Sequence, residues 1–259
     1  MTNLEDEEEN IASTIWEFQF NKPHEKYIRI FKNEVAEVYQ SQSLGTAIME
    51  LILYSTVNQF PHKFRDSVLI LDPQIWQRIK SPNKPQFDDI AIENKDWILM
   101  VKTYYGHYAL QLISLSNPTS IFLWDPMNPC ESSQKEDFKT TRIFLSSLTG
   151  EAHTSQNTKC FIIQMPDQIG DTGCGYSLFW LLTNLADNFK QSFPKICYNQ
   201  IPKQLYPPKN VTSQDIWKTS REQLIKLIDR SVLFTIFQNF LQYFEIFCNI
   251  FQIVCNVLL

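Results

Sequence analysis

Between Gln168 and Phe179 the chain reads Gln-Ile-Gly-Asp-Thr-Gly-Cys-Gly-Tyr-Ser-Leu-Phe, a lone cysteine between two glycines at the head of a long apolar run. The run from Tyr176 to Ala186 carries no charge and is rich in Leu, Phe and Trp, so it predicts a buried helix whose N-terminal end lies near Cys174. Burying such a helix needs surfaces on several sides, and most of the chain can be read as supplying them. The chain has 6 glycines and two of them flank Cys174, which points to a local geometric demand: a tight turn, or another backbone coming close to the sulfur. A helix N-terminus presents partial positive charge and unpaired N–H groups, which suit a thiolate. Cys174 is therefore a candidate nucleophile, and a packed core cysteine is the competing reading of the same stretch.

At 259 residues and 44% hydrophobic, the chain can build a sizeable core. Its net charge of -5 and pI near 5.4 argue against a nucleic-acid-binding surface, which shows as a basic excess. The six cysteines (130, 160, 174, 197, 248 and 255) show no CxxC spacing, and no apolar signal segment opens the chain, so reduced thiols in the cytosol or nucleus are expected. A zinc set of Cys130, His153 and Cys160 lacks paired ligand spacing, so no metal and no cofactor are expected.

Read in order, the chain begins with an acidic block, Glu5-Asp-Glu-Glu-Glu9, that repels itself and predicts a mobile tail. Residues 11–39 mix aromatics and charges and suggest a docking segment followed by a helix. Apolar positions 44, 47, 48, 51, 52 and 54 have helical spacing, and Pro61 ends that helix. Val68–Leu71 is a short apolar run, and 75–79 fits a helical turn or two. Trp97–Val101, Gly106–Ile113, Ser120–Asp125 and Cys160–Met165 read as strands. Phe138–Leu148 reads as a surface helix capped by Gly150, and Ser213–Arg230 as another helix. From 232 on, polar positions Gln238, Gln242, Glu245, Asn249, Gln252 and Asn256 leave a thin, nearly uncharged stripe on a wide apolar helix. Such a tail packs on protein, joins an oligomer or meets a membrane. Helices at both ends with strands between them give an α+β fold. The expected organisation is a segment at 1–40, a domain at 41–230 and an extension at 231–259.

A thiolate nucleophile needs a base, a group to orient the base, and donors for the oxyanion. Of the four histidines, His24, His62 and His153 lie in polar surroundings, which leaves His107 at a strand start as the base. Asp125 closes the next strand and would sit beside His107 if the two strands are neighbours; a turn-forming Asp before Pro126 is the alternative. Gln168, six residues before Cys174, can donate its side-chain N–H to an oxyanion, with the Cys174 backbone N–H as second donor.

These residues carry a resemblance. Gly106-His107-Tyr108, Trp124-Asp125 and Gln168 ahead of Gly173-Cys174-Gly175 are similar to the Ulp and sentrin-specific cysteine protease family, and most similar to its small deneddylase branch. The separations, 125 minus 107 or 18, and 174 minus 125 or 49, are close to those the family uses. The resemblance covers about 40–230. It implies a papain-like domain of the Ulp type: a central mixed sheet flanked by helices, with the nucleophile at the N-terminus of a buried helix. It further implies catalytic His107, Asp125, Gln168 and Cys174, substrate contacts at Tyr108, Trp124 and Gly173, and a ubiquitin-like modifier as partner. Tyr108 would wall a channel that only a Gly-Gly end can thread. The chain departs from the family at Ser43-Leu44-Gly45-Thr46 for Trp-Leu-Asn-Asp, Tyr108 for Trp, Pro126 for Ser and Gly173 for Asp. Two other activities fit the pattern: an acetyltransferase of the same clan, and a module that grips a modifier without cutting it.

Overall fold

The computed structural model describes residues 15–20, 25–81, 87–104, 106–191, 201–208 and 210–230; the acidic block and the apolar tail from 231 lie outside them. The first surprise is a hairpin. Strands β1 (Ile15–Phe20) and β2 (Lys26–Phe31) pair antiparallel where the sequence suggested a docking segment. Period-2 alternation explains it: Ile28 and Ile30 point into the core, while Arg29 points outward and meets Glu17 at 3.4 Å. Helix α1 (Lys32–Tyr39) follows, its Glu34 carboxylate accepting the Phe31 N–H at 3.0 Å, the reach-back half of a capping box. Val35 and Val38 join Ile28 and Ile30 in the main core, so residues 26–39 pack on the domain although the sequence reading put them before it.

Helices α2 (Thr46–Val57) and α3 (His62–Ser67) lead to strand β3 (Val68–Leu71) and helix α4 (Ile75–Lys80). Strands β4 (Trp97–Tyr104), β5 (His107–Ser114) and β6 (Thr119–Trp124) follow, then helix α5 (Glu131–Thr149), strand β7 (Thr158–Ile162) and helix α6 (Cys174–Gln191). A last helix, α7, occupies 213–230. Strands β3 to β7 form one mixed sheet in chain order, parallel at β3/β4 and β6/β7 and antiparallel between.

Both faces of this sheet are covered, and alternate residues along each strand go to opposite faces. Leu99, Leu110, Leu112 and Phe122 pack with α2 and α6. Ile98, Met100, Ile113, Ile121 and Leu123 pack with Trp76 of α4 and Phe138, Phe144 and Leu145 of α5. Fully burying one such side chain contributes about 1.5–3 kcal/mol. Helix α5 starts at Glu131, earlier than the expected 138, because its first two turns bury polar Gln134 and Asp137, which an apolar pattern does not detect. It ends at Gly150 in the left-handed conformation, φ 72°, as its capping role requires.

Candidate active site

The catalytic candidates meet where the ends of β4, β5 and β6 reach the N-terminus of α6. His107 opens β5 and Asp125 follows β6. With Leu110 opposite Trp124, the antiparallel register sets Asp125 one diagonal step from His107. Imidazole Nε2 and Asp125 Oδ1 are 2.7 Å apart, and Oδ1 also accepts the Met127 N–H at 3.0 Å. The other oxygen, Oδ2, accepts the Tyr104 hydroxyl at 2.7 Å. Burial favours the neutral form of Asp125, but the hydrogen bonds from His107 and Tyr104 outweigh it and hold the carboxyl below its usual range. Burial likewise opposes protonation of His107, yet Asp125 and the neighbouring Cys174 push its pKa up to about 9.

Cys174 is the first residue of α6, with its Sγ 3.8 Å from the Gly106 carbonyl and only 2% of the residue exposed. With Nε2 committed to Asp125, the nitrogen left for the sulfur is Nδ1, which has no hydrogen-bond partner. The flanking glycines answer to two different neighbours. A Cβ on Gly175 would stand 2.8 Å from Leu44 Cδ1, and one on Gly173 would stand 2.6 Å from the Ile169 carbonyl oxygen. The loop before the cysteine thus doubles back on itself at Gly173, whose own carbonyl accepts the Ser177 N–H at 3.0 Å. At the family's Asp position, this backbone leaves no room for a side chain.

That fold-back brings Gln168 Cβ within 3.3 Å of the Gly173 Cβ site, next to the nucleophile. The Gln168 amide donates to the Gly170 carbonyl at 2.7 Å, so one of its two N–H groups is committed within the loop. Asn128, which the sequence reading passed over, ties this loop to the turn after Asp125. Its amide donates to the Met165 carbonyl at 3.2 Å and to Asp167 Oδ1 at 2.6 Å, while the Gln168 backbone N–H donates to the Pro126 carbonyl at 3.1 Å. Asn128 has φ 45°, and the Pro-Met-Asn-Pro run around it was the available turn signal.

Two of the residues expected to contact substrate are buried. Trp124 is fully buried, its indole N–H spent on the Leu205 carbonyl at 3.1 Å. Tyr108 is 6% exposed and its hydroxyl donates to the Leu44 carbonyl at 2.8 Å, so it braces the start of α2. One cause serves for both: residues adjacent on a strand point to opposite faces, so His107 and Asp125 at the site send Tyr108 and Trp124 into the α2/α6 core. The third, Gly173, contributes backbone alone. Sequence reading also missed Tyr104 and, behind it, a buried Lys102–Asp137 ion pair. A thiol, an imidazole and a carboxylate in this order can transfer a proton off sulfur and hold the resulting imidazolium, the requirement for acyl transfer by a cysteine.

No protein-family model matches the sequence, and no curated protein matches it. Solved structures do. A de-sumoylating protease aligns over 88% of this chain and 96% of its own, with TM-score 0.60 and 11% identity. The C-terminal Ulp1 protease domain in complex with Smt3, the yeast ortholog of SUMO, aligns over 88% and 95%, with TM-score 0.57 and 11% identity. The Xanthomonas campestris effector XopD bound to ubiquitin aligns over 71% and 91%, with TM-score 0.53 and 13% identity. The fold is that of the Ulp1-type proteases.

Proposed function

We propose that the chain is a cysteine peptidase that removes or matures a ubiquitin-like modifier at its C-terminal glycine. The observation that carries this reading is the Asp125–His107 hydrogen bond directed at a cysteine on the first turn of a buried helix, on a fold whose similar structures include one bound to Smt3 and one bound to ubiquitin. In the proposed reaction the thiol proton has already passed to His107 Nδ1, and Cys174 Sγ bonds as a thiolate to the carbonyl carbon of the terminal glycine. The negative oxygen is met by the Cys174 backbone N–H and the Gln168 amide. His107 returns the proton to the departing lysine amine as the C–N bond breaks, leaving a thioester. Water then adds, with His107 as base, and the modifier leaves as its carboxylate. Proton transfer of this kind contributes about 10²–10⁴-fold.

Among modifiers, the resemblance to the deneddylase branch makes a Nedd-type protein the first choice. Residence in a reducing compartment and contact of 231–259 with a membrane or a protein belong to the same proposal. A second reading, a module that grips a modifier without cutting it, is favoured by the 2% exposure of Cys174 and by the Gln168 amide turned onto Gly170. One experiment separates them: wild-type and Cys174→Ala protein are incubated with electrophile-tipped Nedd-type, sentrin-type and ubiquitin probes, and binding to the same unmodified proteins is measured. A covalent adduct with wild type alone supports the peptidase and names the modifier. Binding without adduct supports the module, and absence of both sinks each reading.

A further inference from the structure

The structure assigns Tyr104 as a positioning residue of this site, the group that locks the Asp125 carboxylate in the orientation His107 needs. The assignment rests on the acyl-transfer reading above. Asp125 has donors on both oxygens, and Tyr104 is the one on Oδ2. With that donor removed, Oδ2 becomes a buried acceptor short of a partner, and the carboxylate is free to turn and carry Oδ1 off the imidazole. The same ring stands edge-on to His107, with centroids 5.1 Å apart and planes at 66°, so Tyr104 packs the base as well as binding its partner.

Tyr104 is itself held. Lys102 and Lys80 place their ammonium groups 5.4 and 5.6 Å from its ring centroid, Lys102 lies 4.8 Å from the Trp76 centroid, and both lysines pair with Asp137 of α5. The charged and titratable groups gathered around Asp125 and His107 are therefore Tyr104 and Lys102 from β4, Lys80 from α4, Asp137 from α5 and Cys174 from α6. Burial and Asp125 keep the phenol protonated, so it acts as a donor only.

The test is Tyr104→Phe in the full chain, with 3-fluorotyrosine at 104 as the conservative replacement. Three quantities are read: thermal melting, the low-field imidazole N–H proton resonance of His107, and the rate of adduct formation with the electrophile-tipped modifier. The expected result is a melting transition near wild type, a His107 N–H signal broadened by exchange with water, and an adduct rate lower by about 10-fold, the worth of a hydrogen bond to a charged group. The fluorotyrosine protein should recover both signal and rate. A signal as sharp as wild type in the Phe variant overturns the assignment, as does a lost rate that fluorotyrosine fails to restore. Should the Phe variant not fold, the fluorotyrosine protein decides alone, since a more acidic phenol must shift the His107 signal and an unmoved one overturns the assignment. A wild-type protein that forms no adduct, yet loses its His107 signal on Tyr104→Phe, refutes the peptidase and leaves the positioning role intact.

Discussion

The two faces of the central sheet are built to different rules, and the site draws on both. The face against α2 and α6 is almost wholly apolar and supplies Cys174. The face against α4 and α5 buries Lys102, Asp137, Gln111 and Thr141 as well as apolar residues, and the Tyr104, His107 and Asp125 side chains lie on that side. A buried cationic or anionic group is costly unless paired, so the second face carries an electrostatic network, whereas the first is held mainly by packing, with single buried hydrogen bonds from Tyr108 and Trp124. Cys174 thus sits at the head of a helix with a largely apolar buried face, and His107 and Asp125 sit beside a buried ion pair. Each half can be perturbed with limited effect on the other.

The largest effect falls on the polar half. His107→Ala should lower the adduct rate by about 10²–10⁴-fold, read with the electrophilic probes, while the melting curve stays cooperative. Next comes the ion pair beneath it. Lys102→Met leaves Asp137 buried with only the distant Lys80, 3.8 Å away, and should cost about 3–5 kcal/mol in urea unfolding. The double variant Lys102→Met/Asp137→Leu should recover most of that loss; if it is as unstable as the single variant, the polar face is held by packing after all.

The apolar half is tested at its two glycines. Gly175→Ala meets the Leu44 side chain and should cost about 1–3 kcal/mol as overpacking, with the adduct rate changed less than stability. Gly173→Ala meets backbone atoms of Ile169, so the loop must move and take Gln168 with it; if Gln168 is the oxyanion donor proposed above, the adduct rate should fall by about 10-fold or more. Equal effects of the two substitutions would erase the distinction drawn between them.

The smallest effect is in pH. His107 is raised to about 9 in the folded protein, so its contribution to stability is whole below its unfolded value of about 6.5 and is lost as pH climbs through about 9. Asp125 is depressed, so its share is present above about 3.9 and is lost as pH falls through its lower folded value. The difference in urea midpoint between wild type and His107→Ala should therefore be widest between about pH 4 and 6.5, shrink through neutrality and be small by about pH 9.5. A gap that widens toward alkali would show that His107 is folded as the neutral base.

The same contrast explains what the sequence could disclose. Cys174, its helix and the strand carrying His107 were legible because an uncharged apolar run and paired glycines are strong local signals, and Asp125 followed once β5 and β6 proved to be neighbours. The polar face was not legible. Tyr104 and Lys102 lie at alternate positions of a strand otherwise read only for its apolar residues, and Asp137 sits in a helical turn without apolar periodicity. Their partners lie 21 and 35 residues away in sequence, a pairing that no local pattern encodes. The hairpin at 15–31 was missed because two isoleucines in alternation are a faint strand signal. The burial of Tyr108 and Trp124 was not legible because a motif names neighbours in the chain, and on a strand neighbours in the chain face apart.

The burial of Cys174 bears on how the protein is handled at the bench. Among the described cysteines, Cys130 is exposed and Cys174 is not, and hydrogen bonds from Ser132 and nearby backbone N–H groups hold the Cys130 thiol below its ordinary pKa. A bulky maleimide or disulfide reagent therefore labels Cys130, at the start of α5, ahead of Cys174. Removing the other five cysteines first turns the same reagents into a gauge of how often Cys174 becomes accessible.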